Sequence, residues 1–176
     1  MGSVAKLCSR IVVLTALAAG VLALVSPPAV AADTTKIQRS IPFAANASVP
    51  AAVRDQCALQ TKVPEFIAQA AGSSVELVDG ALDRKKGRVL VMEITEAHAP
   101  GGGAFSGAKS MSVKGELYDK GKQIGSFRAT RMSGGGAFGG FKGTCAIIGR
   151  CTKKIGEDIA GWLSSPTQNA QLGDAR

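Results

Sequence analysis

The side chains in this 176-residue chain that could do chemistry are few: four cysteines, one histidine and a glycine-rich pentapeptide that occurs twice. Cys8 falls in a basic N-terminal head, leaving Cys57, Cys145 and Cys151 for the folded part. In an oxidising compartment a pair of these is expected to be bonded. Cys145 and Cys151 are the expected disulfide, with pairings to Cys57 as the alternative. The choice carries a condition. Six residues along one helix separate Cα atoms by about 9 Å, beyond disulfide reach, so the bond requires Cys145 in a loop and a helix that starts near Gly149. Cys57, on the apolar side of a short helix, then reads as a buried small hydrophobe. A zinc site from the cysteines and His98 has no C-x-x-C or H-x-x-x-H spacing behind it, so no metal and no cofactor are expected. His98 sits beside Pro100, and no serine lies in a G-x-S-x-G elbow. A Cys–His pair could be assembled only in three dimensions, and loop decoration is preferred, so no catalytic residue is assigned.

The pentapeptide GGGAF stands at residues 101–105 and again at 134–138. Each copy presents a phenylalanine, Phe105 or Phe138, on a glycine stalk, and these two are the candidate partner contacts. Gly134, Gly136 and Gly139 satisfy G-x-G-x-x-G, but the dinucleotide fingerprint also needs a helix at once and a parallel strand after it. Backbone N–H groups of the two loops could instead form an anion-binding nest.

The N-terminal segment supplies an address. Lys6 and Arg10 form a basic head, residues 11–25 are apolar, and Ala29-Val30-Ala31 follows Pro27-Pro28. That order is a secretory signal, too short in its apolar run for a comfortable membrane span. The expected division is a signal peptide over 1–31, a flexible lead-in over 32–40, one domain over 41–165 and a polar tail over 166–176. The formal charge of +8 owes two units to Lys6 and Arg10, so cleavage leaves +6. The basic residues are scattered apart from Arg84-Lys85-Lys86 with Arg88, a solvated turn. With few aromatics and no nucleic-acid motif, the chain is not expected to bind nucleic acid.

The elements that must position these residues follow from periodicity. Ile37, Ile41 and Phe43 alternate around polar neighbours, so a short strand begins here, with Pro42 pointing to an edge position. A helix begins near Pro50 and is interrupted at Pro64, with Thr61 as a new cap and an apolar face that ends at Gly72, giving two short helical pieces or one kinked helix. Short apolar alternation marks strands at residues 75–78, 88–97, 111–117 and 123–132, the last two joined by a turn at 119–122. Ile124 and Phe127 fall on opposite faces of the last strand, which a bulge would reconcile. Ile148, Cys151, Ile155, Ile159 and Trp162 recur at helical spacing. The expected fold is α+β: a mostly antiparallel sheet of four to five strands with two helices packed on one face.

Residues 114–131, KGELYDKGKQIGSFRATR, followed by IGEDIAGWL at 155–163, resemble uncharacterised bacterial exported proteins of the domain-of-unknown-function kind. Their layout is similar to the small α/β domain of envelope-assembly lipoproteins such as penicillin-binding-protein activators and the curli-secretion lipoprotein. The resemblance implies a periplasmic domain that docks on envelope partners and lacks an active site. Those lipoproteins carry a lipid-acceptor cysteine after the signal and this chain has none, so a stable membrane anchor does not carry over. The function expected is therefore a soluble periplasmic, non-enzymatic accessory or interaction domain of the cell envelope. The alternative is a small-ligand or anion binder that uses the two glycine-rich loops. N-terminal sequencing of protein recovered from its own host's periplasm is expected to begin at Ala32; an intact leader there would overturn the export reading.

Overall fold

A computed structural model describes residues 34–100, 107–134 and 142–175 of the chain. The segment expected to be a signal peptide and both candidate contacts, Phe105 and Phe138, lie outside these residues. The described elements run β1 (Thr35–Gln38), β2 (Phe43–Ser48), α1 (Ala51–Gln56), α2 (Leu59–Ala71), a 3-10 turn (Gly72–Ser74), β3 (Val75–Val78), β4 (Arg88–His98), β5 (Lys109–Asp119), β6 (Lys122–Ser133), α3 (Thr144–Ser164) and β7 (Ala170–Gly173).

The seven strands form one mixed sheet in the order β3-β1-β4-β5-β6-β7, with β2 also on β4. This corrects the expected, mostly antiparallel sheet of four to five strands. The meander β4-β5-β6 is antiparallel, but β1 runs parallel to both β3 and β4, β2 parallel to β4, and β7 parallel to β6. The additional strands lie in the segments expected to be a flexible lead-in and a polar tail. In β1, Thr35 and Ile37 are buried and Lys36 is exposed, the alternation of a half-buried strand. β1 pairs with Arg88–Leu90 and β2 reaches Ile94 and Glu96, so the two follow one edge of β4 in turn. Between them the chain jogs at Pro42, whose carbonyl accepts from Ile94 N.

Pro64 does not break the helix as expected; it lies inside α2. Proline lacks the N–H that the Gln60 carbonyl would receive, and Ile41 N donates to that carbonyl instead, at 3.1 Å. The break comes at Ala58, which takes φ 50° between α1 and α2. The bulge expected in β6 is present: Leu117 faces Gly125 and Tyr118 faces Gln123, leaving Ile124 unpaired in the ladder.

α3 carries the core. Ile148, Cys151, Ile155 and Ile159 are essentially fully buried, and Trp162 packs edge-on against Phe127 with ring centroids 4.9 Å apart. The helix lies against β5 and β6 and alongside α2. Leu90, Met92 and Ile94 of β4 and Val113 and Leu117 of β5 face it from the sheet. Arg131 fixes α3 from the side, its Nε and Nη2 each donating to the Asp158 carboxylate at 2.7 Å. That bidentate bond raises the guanidinium's already high pKa. Arg131 also reaches Asp174, which accepts from Met132 N and so holds β7 in place.

Gly156 sets how closely the two long helices approach. A Cβ there would sit 2.6 Å from Phe66 Cβ and 2.9 Å from the Phe66 carbonyl carbon. The obstruction includes backbone, so α2 and α3 would have to part. Gly156→Ala is expected to destabilise the fold by about 1–3 kcal/mol despite the better helix propensity of alanine. Gly161→Ala, in the same helix with open space around its Cβ, is expected to be neutral or stabilising by up to about 1 kcal/mol. Urea unfolding of both variants checks the contrast; equal midpoints would overturn the close-packing account.

Candidate functional site

The disulfide joins Cys57 to Cys145, with Cα atoms 5.1 Å apart, and Cys151 is a free buried thiol. The expected Cys145–Cys151 bond is corrected on the condition already attached to it. α3 starts at Thr144, with Ala146 N and Ile147 N both donating to the Gly143 carbonyl. Both cysteines therefore lie in one helix, about 9 Å apart along its axis. Cys57, the C-terminal cap of α1, is brought to the first turn of α3 and takes the bond. Closing a loop of 88 residues contributes about 4.6 kcal/mol in the chain-entropy picture.

Cys151 is poorly suited to nucleophilic chemistry. Its thiol donates to the Lys109 carbonyl, and burial pushes its pKa from 9.0 up to about 11. His98 is exposed at the end of β4, opposite Ser110. Among the described residues no group of three histidine, cysteine or acidic side chains could hold a metal ion. Glu157 turns outward with its carboxyl held below the usual range by the hydrogen bond from Lys154, whereas Asp158 serves the Arg131 latch. At the stem of the first glycine-rich run, fully buried Lys109 donates from Nζ to the Pro100 carbonyl at 2.7 Å.

A concavity lies elsewhere among the described residues, on the sheet face that α3 leaves open. It is a groove of about 540 Å³. Its floor is set by register. Glu93, Lys114, Arg128 and Gln171 stand side by side on β4, β5, β6 and β7, with adjacent strands about 4.8 Å apart. The neighbouring row is Val91, Glu116 and Ser126. Glu93 pairs with Lys114. Glu116 accepts from the Tyr118 hydroxyl at 2.6 Å, a bond that raises the phenol's pKa and keeps its proton in place. Arg84, whose guanidinium lies 4.7 Å from the Tyr118 ring centre, donates to the same hydroxyl and lines one end of the groove. Arg128 makes no ion pair and no side-chain hydrogen bond among the described residues.

None of this grouping was singled out in the sequence. Arg84 reads as part of a solvated turn, and Lys114, Glu116 and Arg128 fall in the strands at 111–117 and 123–132 with nothing to mark them as a group. The signal was present as strand alternation, but which charges meet depends on the β5–β6 register and on the bulge at Ile124.

No protein-family model and no curated protein sequence matches the chain. Among solved structures it is similar to the PelC dodecamer from Paraburkholderia phytofirmans, at 17% identity and a TM-score of 0.45, over 75% of this chain and 92% of that one. A substituted form of that PelC dodecamer gives 16% identity and a TM-score of 0.44 over the same shares. Values this low mark a remote likeness that assigns no activity.

A peptide map without reductant is expected to show Cys57 linked to Cys145, and iodoacetamide is expected to label Cys151 only after denaturation. The buried neutral thiol also predicts the sign of a pH effect. Between pH 9 and about 11 the unfolded chain loses the Cys151 proton before the folded one does, so this contribution to stability falls as pH rises. Loss of that alkaline slope in Cys151→Ala checks it; an unchanged slope would overturn the assignment.

Proposed function

We propose that this chain is an exported, non-enzymatic accessory domain of the bacterial cell envelope that works by non-covalent contact in the periplasm. The Cys57–Cys145 disulfide carries this reading. A bond between distant segments of the chain persists in an oxidising compartment and is rare in the cytosol. The basic head, apolar run and A-x-A segment point to the same compartment. Among the described residues no helix is long and apolar enough to cross a membrane. The buried, high-pKa Cys151 and the exposed His98 favour binding over cysteine chemistry. On this reading the protein acts in the manner of the small α/β domain of envelope-assembly lipoproteins, without their lipid anchor.

Phe105 and Phe138 are the proposed contacts with an envelope protein partner. Photo-crosslinking from positions 105 and 138 in the native host is expected to trap one envelope protein from both sites. Phe105→Ala combined with Phe138→Ala is expected to abolish co-purification of that protein while leaving the Cys57–Cys145 bond and the melting temperature unchanged. Undiminished co-purification would overturn the contact assignment.

A further inference from the structure

Among the described residues, the open-face groove carries an electrostatic imbalance. Lys114 and Arg128 are direct partners across the antiparallel β5–β6 ladder, and like charges so placed repel. Glu93 neutralises Lys114 from the β4 side. It stands two strands away from Arg128, which is left as an exposed cation facing a 540 Å³ concavity. Arg84 adds a second guanidinium at one end of that groove, oriented by its stack on Tyr118. The nearby acid, Glu116, already accepts the Tyr118 hydroxyl.

The rest of the lining is neither apolar nor uniformly basic. Ser126, Gln123, Asn169 and Gln171 place hydroxyl and amide groups beside Arg128. Ser126 is held there by two bonds, accepting from Asn169 N at 2.8 Å and donating to Gln168 Oε1 at 3.1 Å. Amides and hydroxyls both donate and accept, which suits a ligand that carries hydroxyl groups. A guanidinium suits an oxyanion through paired N–H donors. The volume falls within the range of ~300–1,000 Å³ typical of small-molecule sites, while the polar lining favours a hydrated ligand.

We propose that this groove binds a small acidic sugar, its carboxylate or phosphate bridging Lys114 and Arg128 and its hydroxyls meeting Ser126 and Gln171. Such an oxyanion would relieve the Lys114–Arg128 repulsion. The site depends on neither the glycine-rich loops nor the compartment, so it stands or fails separately from the envelope-domain reading.

The test is titration of the oxidised protein, followed by ¹⁵N-resolved NMR, with glucuronate, glucose 6-phosphate, glucose and inorganic phosphate. One or both acidic sugars are expected to bind with a Kd of about 1 mM or tighter and to move the resonances of residues 114, 126, 128 and 171. Which of the two binds distinguishes a carboxylate from a phosphate source. Arg128→Gln is expected to weaken binding about tenfold or more, and raised salt is expected to weaken it further. Arg128→Glu gives a second readout, because it places an acid opposite Lys114. That variant is expected to melt above the parent while losing the ligand. Equal binding of glucose would overturn the proposal, as would inorganic phosphate binding as tightly as the acidic sugars. Unchanged affinity in Arg128→Gln, or no shift at these residues with either acidic sugar, would overturn it as well.

Discussion

Burial of Ile148, Cys151, Ile155, Ile159 and Trp162 beneath one helix sets the position of nearly every other element. α3 must lie flat on β5 and β6 to cover these side chains, and the sheet supplies the space. Gly125 offers no Cβ where Trp162 rests, the ideal position being 2.7 Å from the indole ring. Gly156 lets α2 close against the same helix. A disulfide and an ion pair then hold α3 at different points along its length. The disulfide ties its first turn to the end of α1, and Arg131, through Asp158, ties its fifth turn to β6 and, through Asp174, to the last strand. With one sheet face committed to this core, the other is left mostly to polar and charged side chains, with Val89 and Ser112 buried among them.

That division explains what could be read from the chain and what could not. β4, β5, β6 and α3 were legible because each is long enough to display its period, 2 in the strands and about 3.6 in the helix. The bulge was legible because Ile124 and Phe127 cannot share a face without it. β1 and β7 have four residues each, too few for alternation to stand out from a polar segment. Their pairing is also parallel, and so lacks the hairpin turn that marks antiparallel neighbours. Pro64 misled for a related reason. The rule that proline breaks helices assumes that the freed carbonyl stays unsatisfied, and Ile41 N, in the loop before β2, supplies the missing donor. The open-face groove was the least legible feature, since its charges come from four strands and meet only in the folded register.

The cysteines show how a tertiary constraint overrules proximity in sequence. In an unfolded chain Cys145 meets Cys151 far more often than it meets Cys57. Closing a loop of 6 residues instead of 88 is favoured by about 2 kcal/mol of chain entropy. Formation of α3 reverses this preference. It fixes the near pair about 9 Å apart, turns Cys151 into the core, and raises its pKa so that the thiolate needed for exchange is scarce. Docking of α1 and α2 then carries Cys57 to the helix's first turn. The native bond is thus the one that helix geometry and burial allow in the folded chain. The same burial that makes Cys151 an unsuitable nucleophile protects the correct disulfide from rearrangement, because the one thiol left in the described fold can neither reach the bond nor ionise near neutral pH.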